Sequence, residues 1–600
     1  MYLSISFFIG ACLFTYFFNR YRSYKLGRVK SFFNLILEVS LQVLISYLLS
    51  IFYFRLIKTM SILYILNSIW KNRSNFVLQF NEASLIFLAI ILFISIILKT
   101  EIKKTNKSKK RSSIFPTILV FFIAQFIMLV LYIDAMFSKV SINQILFTLN
   151  MPMTGTSYVI VITSIITLLV IPACFSIFHL ILIKNNIYFL CTISKKEITF
   201  FPFRFNHKVI ASFSFIVLVL LFFEIKLQIV HFILKELKTD TTFYEKNYIS
   251  PKDVNFTFPE HKKNLIFIYL ESTEAEVAYC ARENTNLIPE LVALANNNLS
   301  FSHSDGIGGQ TQVPGSDHSI ASICCTHLGL PLLIDFAGRF YKNNNKHFFN
   351  GAYGLGNILS SGGYNCLFTI GAETVYGGLD NLLASHGFQI KDINYYRNIG
   401  KVPEDYFVWW GIEDIKMVEF AKEELNNLAS LKQPFAFSVF FQDTHFPSGY
   451  FDEECQNKYP KQIHNVFANM SKRIDNFVNW IKEQPFYQDS VIVILGDHLY
   501  MGDDLYDDNR PMSKRHAYNA FINTGKSCEH NKNRKFCTFD YFPTILDCLD
   551  IKYEGDGLGL GRSLLSGKPT LIEQLGVEKL VDAITSRSNF YYYSLLSKEE

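Results

Sequence analysis

The chain has 600 residues, of which 50% are hydrophobic and 16% aromatic, and its formal net charge is +5. This composition is too apolar for an ordinary soluble enzyme, and the length is too great for a single domain. The small net charge requires no acidic partner. We expect no nucleic acid to bind, because the densest basic run, residues 99–111, lies between two apolar segments.

Six apolar segments precede residue 235 and predict a helical membrane domain over residues 1–234. They are residues 2–18, 32–56, 84–98, 114–137, 157–183 and 209–232. Several reach the roughly 20 apolar residues that the core of a bilayer requires. The first segment has neither a basic start nor a small-x-small cleavage site. It therefore predicts a retained anchor and not a cleaved signal peptide.

The basic residues between these segments predict the orientation of the chain. Residues 19–30 contain five Lys or Arg, residues 99–111 seven and residues 184–208 five, whereas residues 138–156 contain only Lys139. By the positive-inside rule, the first three of these loops are cytoplasmic. Everything after about residue 235 would then lie outside the cytoplasmic membrane. We expect a multi-pass protein of the bacterial inner membrane with a periplasmic domain.

The second half of the chain is predicted to be an extracytoplasmic α/β domain. Residues 235–262 are polar and predict a stalk. In residues 263–568, strand-like runs alternate with helix-like patterns, which is typical of a mostly parallel sheet, and residues 569–600 form a helix-like tail. Cys528 and Cys537 bracket a polar segment, which predicts a loop closed by a disulfide bond in this exported domain.

Three apolar runs of the α/β domain end in acidic, amide or histidine side chains. The runs are residues 264–273, 435–445 and 490–499. Such runs predict strands buried on both faces of a parallel sheet, and ligands bind beyond the carboxyl ends of such strands. The side chains expected at that edge are Glu271, Gln442, Asp443, His445, Asp497 and His498. Carboxylates and imidazoles are ligands of divalent cations, so this edge predicts a metal site and an enzyme.

Residues 306–333 supply a candidate nucleophile. This segment is glycine-rich up to Gly315 and has a helix-like pattern from about Ser319. A hydroxyl at the start of a helix suits phosphate binding, and contact with a metal ion would activate it for attack. The alternative for Ser316 or Ser319 is a purely structural helix cap. Trp410 is a candidate for lining a substrate groove, with core packing as its alternative.

The order of motifs resembles that of a known enzyme family. The motifs are NLIFIYLEST, LIPELVALANNNLSF, VPGSDHSIASICCTHLGLPLL, GAETVYGGLDNLLASHGF, WGIEDI, DTHFP, ILGDHL and FDYFPTILDCL. They are similar to the extracytoplasmic domain of the lipoteichoic-acid-synthase-like transferases, in the alkaline phosphatase/sulfatase superfamily, and most of all to the phosphoglycerol transferase I branch. The resemblance covers roughly residues 262–565. The sulfatase branch needs a CxPxR motif, which this chain lacks, so sulfate-ester hydrolysis is disfavoured.

The resemblance implies roles for individual residues. Glu271, Asp497 and His498 align with the family's metal ligands, for one divalent ion that could be Mn, Zn or Mg. Ser319 aligns with the nucleophile, which also contacts the metal and is usually a threonine in this family. This departure keeps Ser316 as an alternative nucleophile.

The substrate-binding residues are implied with one further departure. His445 aligns with a histidine that contacts the substrate phosphate and is also a candidate catalytic group. The family tends to have an arginine in the region where this chain has GAETVYGG. We therefore expect Arg515 or His516, together with Trp410, to take part in binding the substrate.

Three functions remain open at this point. The first is transfer of a phosphoglycerol headgroup from phosphatidylglycerol, through a covalent intermediate, to a glucan or a glycerol-phosphate polymer. The second is transfer of phosphoethanolamine to lipid A or a surface glycan. The third is a catalytically inactive receptor or scaffold in the membrane. The complete metal-ligand set favours an enzyme.

Overall fold

The computed structural model describes parts of the first 234 residues and most of the remainder. The described residues are 101–104, 114–136, 158–184, 187–193, 196–201 and 240–596 except 281–284, 335–347, 447, 503, 507–509 and 556, with single residues at 43, 46, 84, 86, 88, 90 and 235. The chain divides into two compact units, one with residues 1–138 and 158–220 and the other with residues 139–157 and 221–600.

The first unit contains two long apolar helices. One is Ile114–Met136, and the other runs from Tyr158–Ile165 through a π-helical turn at Ile166–Val170 to Ile171–Lys184. Among the described residues, one helix, Ile162–Lys184, is long and apolar enough to cross a membrane. The predicted segments 2–18, 32–56, 84–98 and 209–232 lie outside the described residues apart from isolated positions. The bundle of six spans therefore stays a prediction.

The basic segments predicted as cytoplasmic loops contain a small antiparallel sheet. Its strands are β1 (Glu101–Lys104), β2 (Ile187–Ile193) and β3 (Lys196–Phe201), in the order β1–β2–β3. In this pairing Glu101 lies opposite Leu190, and Lys104 lies opposite Ile187. The two segments are therefore paired strands and not plain loops at these residues.

The second unit is built on a seven-stranded sheet, which confirms the predicted α/β architecture. Its strands are β5 (Asn264–Leu270), β6 (Gly309–Gln310), β7 (Asn365–Ile370), β8 (Gln389–Lys391), β9 (Phe435–Phe441), β10 (Ser490–Gly496) and β11 (Ala517–Ile522). The spatial order is β6–β11–β10–β5–β9–β7–β8. The five strands from β10 to β8 are parallel, and β11 and β6 are antiparallel at one edge.

The central strands are buried along their whole length because helices cover both faces of the sheet. Every residue of β5, β9 and β10 is buried. The covering helices are Pro289–Asn297, Ser319–Leu328, Leu355–Ser361, Leu379–Ser385, Ile393–Asn398, Asp414–Ser430, Gln462–Lys482 and Tyr541–Cys548. In Gln462–Lys482, apolar residues recur at the three- and four-residue spacing that gives a helix one buried face.

The segments on either side of the α/β domain pack against it and against each other. The N-terminal segment contains the helix Phe243–Asn247 and β4 (Phe256–Thr257), which pairs with β12 (Lys552–Tyr553). The tail contains the helices Leu571–Leu575 and Val577–Ile584 and a π-helical turn at Phe590–Leu596. A hairpin of β13 (Gly557–Leu558) and β14 (Gly561–Arg562) precedes the tail.

Residues 240–262 are therefore not a free stalk in this structure. Tyr244 is fully buried, its ring lies 4.8 Å from that of Tyr591, and its hydroxyl donates a hydrogen bond to the carbonyl of Ile584. A second link joins Thr241 N to the carbonyl of Arg587. An aromatic anchor thus holds both segments to the domain, and the domain boundaries proposed from the sequence stay predictions.

The cysteine pair predicted to close a loop does not form a disulfide bond in the structure. Cys528 and Cys537 are both free. The Cys537 side chain is fully buried in the hydrophobic core, whereas the thiol of Cys528 points to the carbonyl of Leu564. Cys324 and Cys325 are also free and fully buried, so they serve as core residues.

Candidate metal centre

The register of two parallel strands places the first two predicted ligands side by side. In the β5–β10 pair, Leu270 lies opposite Gly496. The next residues, Glu271 and Asp497, therefore emerge together at the carboxyl end of the sheet. The ladder continues into this edge, because Asp497 N donates to the carbonyl of Leu270. Both carboxyl side chains are almost completely buried.

Gly496 is required here for space. A Cβ atom at this position would lie 1.8 Å from the carbonyl oxygen of Thr273. Gly496 is the last residue of β10. It is the close approach of the segment after β5 that excludes a side chain.

The candidate nucleophile comes from the start of a helix that faces this edge. Helix Ser319–Leu328 begins directly after His318, which has an extended backbone, and ends at Gly329 in the left-handed conformation. Ser319 is only partly buried, so a substrate can reach its hydroxyl from solvent. Backbone N–H groups at the start of this helix favour a negatively charged ligand beside that hydroxyl.

Four predicted residues lie close together at this edge. Ser319 Oγ donates to Glu271 Oε2 at 3.0 Å and lies 3.4 Å from His498 Nε2. His498 Nε2 is also 3.2 Å from Glu271 Oε1 and 3.4 Å from Asp497 Oδ2. One hydroxyl, two carboxylates and one imidazole thus surround a common point at the end of the sheet.

The charges in this cluster are strongly coupled. Burial opposes the charge on Glu271, but His445 and His498 outweigh it and lower the pKa of this carboxyl group. Burial and the charge of Glu271 together raise the pKa of Asp497. His498 is buried, which lowers an imidazole pKa, yet the two carboxylates outweigh burial and raise the pKa. Ionisation of the two buried carboxyl groups therefore depends on positive charge beside them.

A divalent cation fits this cluster. Ligand atoms of Glu271, Asp497 and His498 all lie within 4.8 Å of one another. Asp497 Oδ2 is buried and accepts no hydrogen bond from the part of the chain that the structure describes. An orphaned buried carboxylate oxygen is costly unless a cation compensates it. Oxygen and imidazole ligands suit Zn or Mn, and the hydroxyl of Ser319 can complete the set.

Neighbouring groups that the sequence did not reveal hold the ligands in place. Ser272 adopts a left-handed backbone (φ 52°), donates its N–H to Asp497 Oδ1 at 2.7 Å and donates its hydroxyl to Glu271 Oε1 at 2.7 Å. Thr444 donates its hydroxyl to the carbonyl of Glu271. A non-glycine residue at positive φ costs energy and is found mostly at functional sites. The dipeptide Glu-Ser at a strand end was the only signal in the sequence.

The alternative nucleophile, Ser316, is engaged elsewhere. Its hydroxyl donates to the carbonyl of Val313 at 2.9 Å and accepts from Val313 N at 3.1 Å, which closes a tight turn before the helix. The side chain is almost fully buried. The structure therefore brings Ser319 to the cluster and leaves Ser316 in a supporting position.

His445 and Trp410 lie beside each other near the cluster. Their ring centroids are 4.4 Å apart, and His445 Nδ1 is 2.6 Å from the carbonyl of Phe446. Since that carbonyl accepts from Nδ1, the other ring nitrogen, Nε2, is the one left to contact a substrate. Trp410 Nε1 is buried and has no hydrogen-bond partner among the described residues. The substrate-binding role of both residues stays a prediction.

Arg515 and His516 make other contacts. The guanidinium of Arg515 is buried and pairs with the buried carboxylate of Glu274, with 2.9 Å between Nε and Oε2. His516 Nδ1 lies 2.9 Å from Glu276 Oε1. The structure does not bring either side chain into contact with Ser319, and their part in substrate binding stays a prediction.

Part of the chain is similar to known proteins. Residues 263–551 match the family model described as sulfatase. A curated phosphoglycerol transferase I from Escherichia coli is 33% identical over 337 residues, covering 53% of this chain. The match spans only 41% of that relative's own length.

Solved structures to which the chain is similar include a synthase and a transferase. The lipoteichoic acid synthase LtaP from Listeria monocytogenes is 17% identical with a TM-score of 0.42, covering 52% of this chain and 79% of that one. The integral membrane lipooligosaccharide phosphoethanolamine transferase A (EptA) from Neisseria meningitidis is 13% identical with a TM-score of 0.43. The match covers 78% of this chain and 89% of that one. At these scores the likeness does not extend to function.

Proposed function

We propose that this protein, whose residues 263–551 match the sulfatase family model, is a membrane-anchored phosphotransferase that moves a phosphoglycerol headgroup from phosphatidylglycerol to a hydroxyl of an acceptor. The acceptor would be a glucan or a glycerol-phosphate polymer. One observation carries the proposal: the hydroxyl of Ser319 lies 3.0 Å from Glu271 Oε2 and 3.4 Å from His498 Nε2, at the start of a helix.

The choice of phosphoglycerol rests on the named relative. At 33% identity over 337 residues, the Escherichia coli phosphoglycerol transferase I is similar over the same part of the chain that carries the site. The lack of a CxPxR motif removes the formylglycine that sulfate-ester hydrolysis would need. A phosphate ester is therefore the substrate class that suits a serine hydroxyl here.

In the first step, Ser319 Oγ attacks the phosphorus of the lipid headgroup. A new Oγ–P bond forms, and the bond from phosphorus to the diacylglycerol oxygen breaks. Glu271 Oε2 orients the hydroxyl through its hydrogen bond, and the hydroxyl proton is released to solvent, because a carboxylate with a lowered pKa is too weak a base to keep it. His445 would protonate the departing diacylglycerol oxygen. The product is a phosphodiester between Ser319 and glycerol.

In the second step, a hydroxyl of the acceptor attacks the same phosphorus. The new oxygen–phosphorus bond forms as the Oγ–P bond breaks, the acceptor hydroxyl gives its proton to His445, and Ser319 takes up a proton from solvent. A divalent ion held by Glu271, Asp497, His498 and Ser319 would supply charge stabilisation for the phosphoryl oxygens and lower the pKa of the serine hydroxyl. No redox partner is needed, because the two displacements balance.

The decisive experiment detects the covalent intermediate. The full chain, purified in detergent, is incubated with phosphatidylglycerol labelled in its headgroup glycerol, without acceptor, and digested for mass spectrometry. We expect the peptide that contains Ser319 to carry one phosphoglycerol group. A label on any other residue would contradict the proposed nucleophile.

A parallel incubation decides the headgroup. Phosphatidylethanolamine labelled in ethanolamine is offered to the same preparation, alone and in equal mixture with phosphatidylglycerol. We expect glycerol label on the protein and little ethanolamine label. Ethanolamine label alone would replace the proposed donor with phosphatidylethanolamine, and no label from either lipid would contradict headgroup transfer.

A further inference from the structure

A second group of ionisable side chains lies apart from the ligands around Ser319. Glu276, His303 and His516 each offer one ligand atom, and these atoms lie within 4.8 Å of one another. None of the three belongs to the set of Glu271, Asp497, His498 and Ser319. The proposed transfer reaction uses none of them.

Three separate segments deliver these side chains. Glu276 lies in the short 3-10 helix Ala275–Tyr279 that follows β5, and His516 directly precedes β11. The two segments are joined through hydrogen bonds from Ala275 N to the carbonyl of His516 and from His516 N to Glu276 Oε2 at 2.8 Å. His303 lies in the loop before β6, next to Ser302, whose N–H and carbonyl are both hydrogen-bonded to the segment 531–534. The backbone therefore fixes all three positions.

The two imidazoles are arranged around one carboxylate oxygen. His516 Nδ1 lies 2.9 Å from Glu276 Oε1, and His303 Nε2 lies 3.9 Å from the same atom. The rings are stacked, with centroids 3.4 Å apart and planes inclined by 13°. A separation of 3.9 Å is too long for a hydrogen bond, so the carboxylate alone does not explain why His303 faces it.

A cation between these atoms would be a common partner for the three side chains, once the stacked rings turn to point a nitrogen at it. Ligands of tetrahedral zinc lie about 2.0–2.2 Å from the metal, so pairs of ligand atoms are about 3.3 Å apart. The observed separations of 2.9 and 3.9 Å lie on either side of that value. A donor set of two imidazoles and one carboxylate favours zinc over magnesium or calcium, which prefer oxygen ligands.

The group also borders a cavity. A space of about 630 Å³ is lined by Glu276, His303 and His516 on one side and by three basic residues, Arg510, Lys514 and Lys535. This volume is in the range of small-molecule sites. Three protein ligands leave a tetrahedral ion one open position, and basic side chains around that position favour an anionic ligand.

We propose that Glu276, His303 and His516 bind a zinc ion whose fourth coordination position opens into this cavity and accepts a phosphate-type anion. This ion is additional to the one held beside Ser319. The site therefore gives the protein a second metal, with a binding position for an anionic group outside the reaction centre.

Metal content tests the site separately from activity. The background is the full chain in detergent with Glu271→Gln and Asp497→Asn, which removes two ligands of the first site. After chelation and dialysis against zinc, we expect about one zinc per chain by elemental analysis. Adding His303→Gln to this background is expected to remove that zinc, and Glu276→Gln to weaken zinc binding at least about tenfold.

His530→Gln is the matched control. His530 is an exposed histidine that follows His516 closely in the sequence but does not belong to the group. It is expected to retain the zinc. Circular dichroism and thermal unfolding establish that each variant is folded. If folded His303→Gln and Glu276→Gln proteins both keep a full equivalent of zinc, the site is not formed by these residues.

Cobalt replaces zinc to report on geometry and on the open position. We expect the visible absorption of tetrahedral cobalt in the background protein, its loss in His303→Gln, and a change of the spectrum on addition of inorganic phosphate. A six-coordinate spectrum would overturn the tetrahedral site. A spectrum that phosphate leaves unchanged would overturn the anion-binding position.

Discussion

Ser316 and Ser319 are three residues apart, but their hydroxyls have different surroundings. Ser319 donates to Glu271, whereas Ser316 exchanges hydrogen bonds with Val313. We predict that Ser319→Ala abolishes labelling by phosphatidylglycerol and lowers transfer by at least about 10³-fold, because the attacking atom is lost. Ser316→Ala should retain labelling and lose only about 1 kcal/mol of stability with its hydrogen bonds.

The measurement for this pair is headgroup transfer and adduct mass on matched amounts of folded protein. Ser319→Thr serves as a positive control, because it keeps a hydroxyl in the same place. If Ser316→Ala lost the adduct and Ser319→Ala kept it, the assignment of the nucleophile would be reversed.

In the metal-free protein, we expect the charge of Asp497 to lower the free energy of unfolding. Its carboxylate is buried beside Glu271, which together with burial raises its pKa, and Oδ2 accepts no hydrogen bond among the described residues. Asp497→Asn keeps Oδ1 as the acceptor for Ser272 N and His498 N while it removes the like charge. We predict that the metal-stripped variant is more stable than the metal-stripped original protein by on the order of 1 kcal/mol.

With metal bound, the original protein should instead be more stable than Asp497→Asn. At a concentration 100 times the dissociation constant, a bound ion stabilises the folded state by about 2.7 kcal/mol, and the variant should lose this gain at the first site. Thermal unfolding with and without chelator measures both effects, and any ion bound at Glu276 contributes equally to the two proteins. A metal-stripped variant that is less stable than the original would show that Asp497 is not held at a net cost.

For single residues, the sequence revealed the candidate ligands but not the neighbouring groups that hold them in place. Glu271, Asp497 and His498 could be found because each follows an apolar run that ends abruptly. The positive φ of Ser272 and the contact from Thr444 leave no such pattern, because they depend on how neighbouring strands meet. The pairing of Arg515 with Glu274, a buried acid three residues beyond Glu271, left no such pattern either.

The helix Leu571–Leu575 is fixed at its start by Glu573. This carboxylate accepts hydrogen bonds from Thr570 N at 2.9 Å and from Lys535 N at 3.0 Å. It also accepts from Arg534 Nε at 2.7 Å and from Arg534 Nη2 at 3.1 Å. Burial opposes its charge, but the hydrogen bonds from Arg534 and the backbone lower its pKa. We predict that Glu573→Gln destabilises the domain by about 1 kcal/mol at pH 7.

The effect should depend on pH in a defined direction. Because the folded pKa of Glu573 lies below the unfolded value of about 4.3, its stabilisation is present above that pH and is lost as the pH falls through the folded pKa. The difference in unfolding midpoint between the original protein and Glu573→Gln should therefore shrink below about pH 4.3. Glu578→Gln, at an exposed glutamate in the next helix, is the control and should show no such convergence. A difference that stayed constant from pH 7 to pH 3 would exclude a contribution from the charge.

Elements buried on both faces were predictable, and elements defined by long-range pairing were not. β5, β9 and β10 are continuous apolar runs, so their place at the centre of a parallel sheet follows from composition. The packing of residues 240–262 was missed because its anchor, Tyr244, is a single aromatic residue in a polar segment whose partner, Tyr591, is almost 350 residues away. A loop-closing disulfide was expected from spacing, whereas burial of Cys537 in the core decides the outcome.

For the whole molecule, the basic residues predict where the catalytic domain lies. We predict that alkaline phosphatase is active when fused after residue 239 and inactive when fused after residue 195, because only the first junction would be outside the cytoplasm. A green fluorescent protein fusion should give the opposite result at each junction. An active phosphatase at residue 195 and an inactive one at residue 239 would reverse the proposed orientation.

The small sheet of the first unit places a condition on this topology that does not depend on charge. β1 and β2 are hydrogen-bonded neighbours, so residues 101–104 and 187–193 lie on the same side of any membrane. A chain that leaves one face and returns to it has crossed an even number of times or not at all. Between residues 104 and 187 the chain therefore crosses an even number of times or not at all, and the described helices in this interval are Ile114–Met136 and the one that runs from Tyr158 to Lys184. The strand pairing thus allows only an even number of membrane crossings, or none, between β1 and β2, whatever the total number of spans.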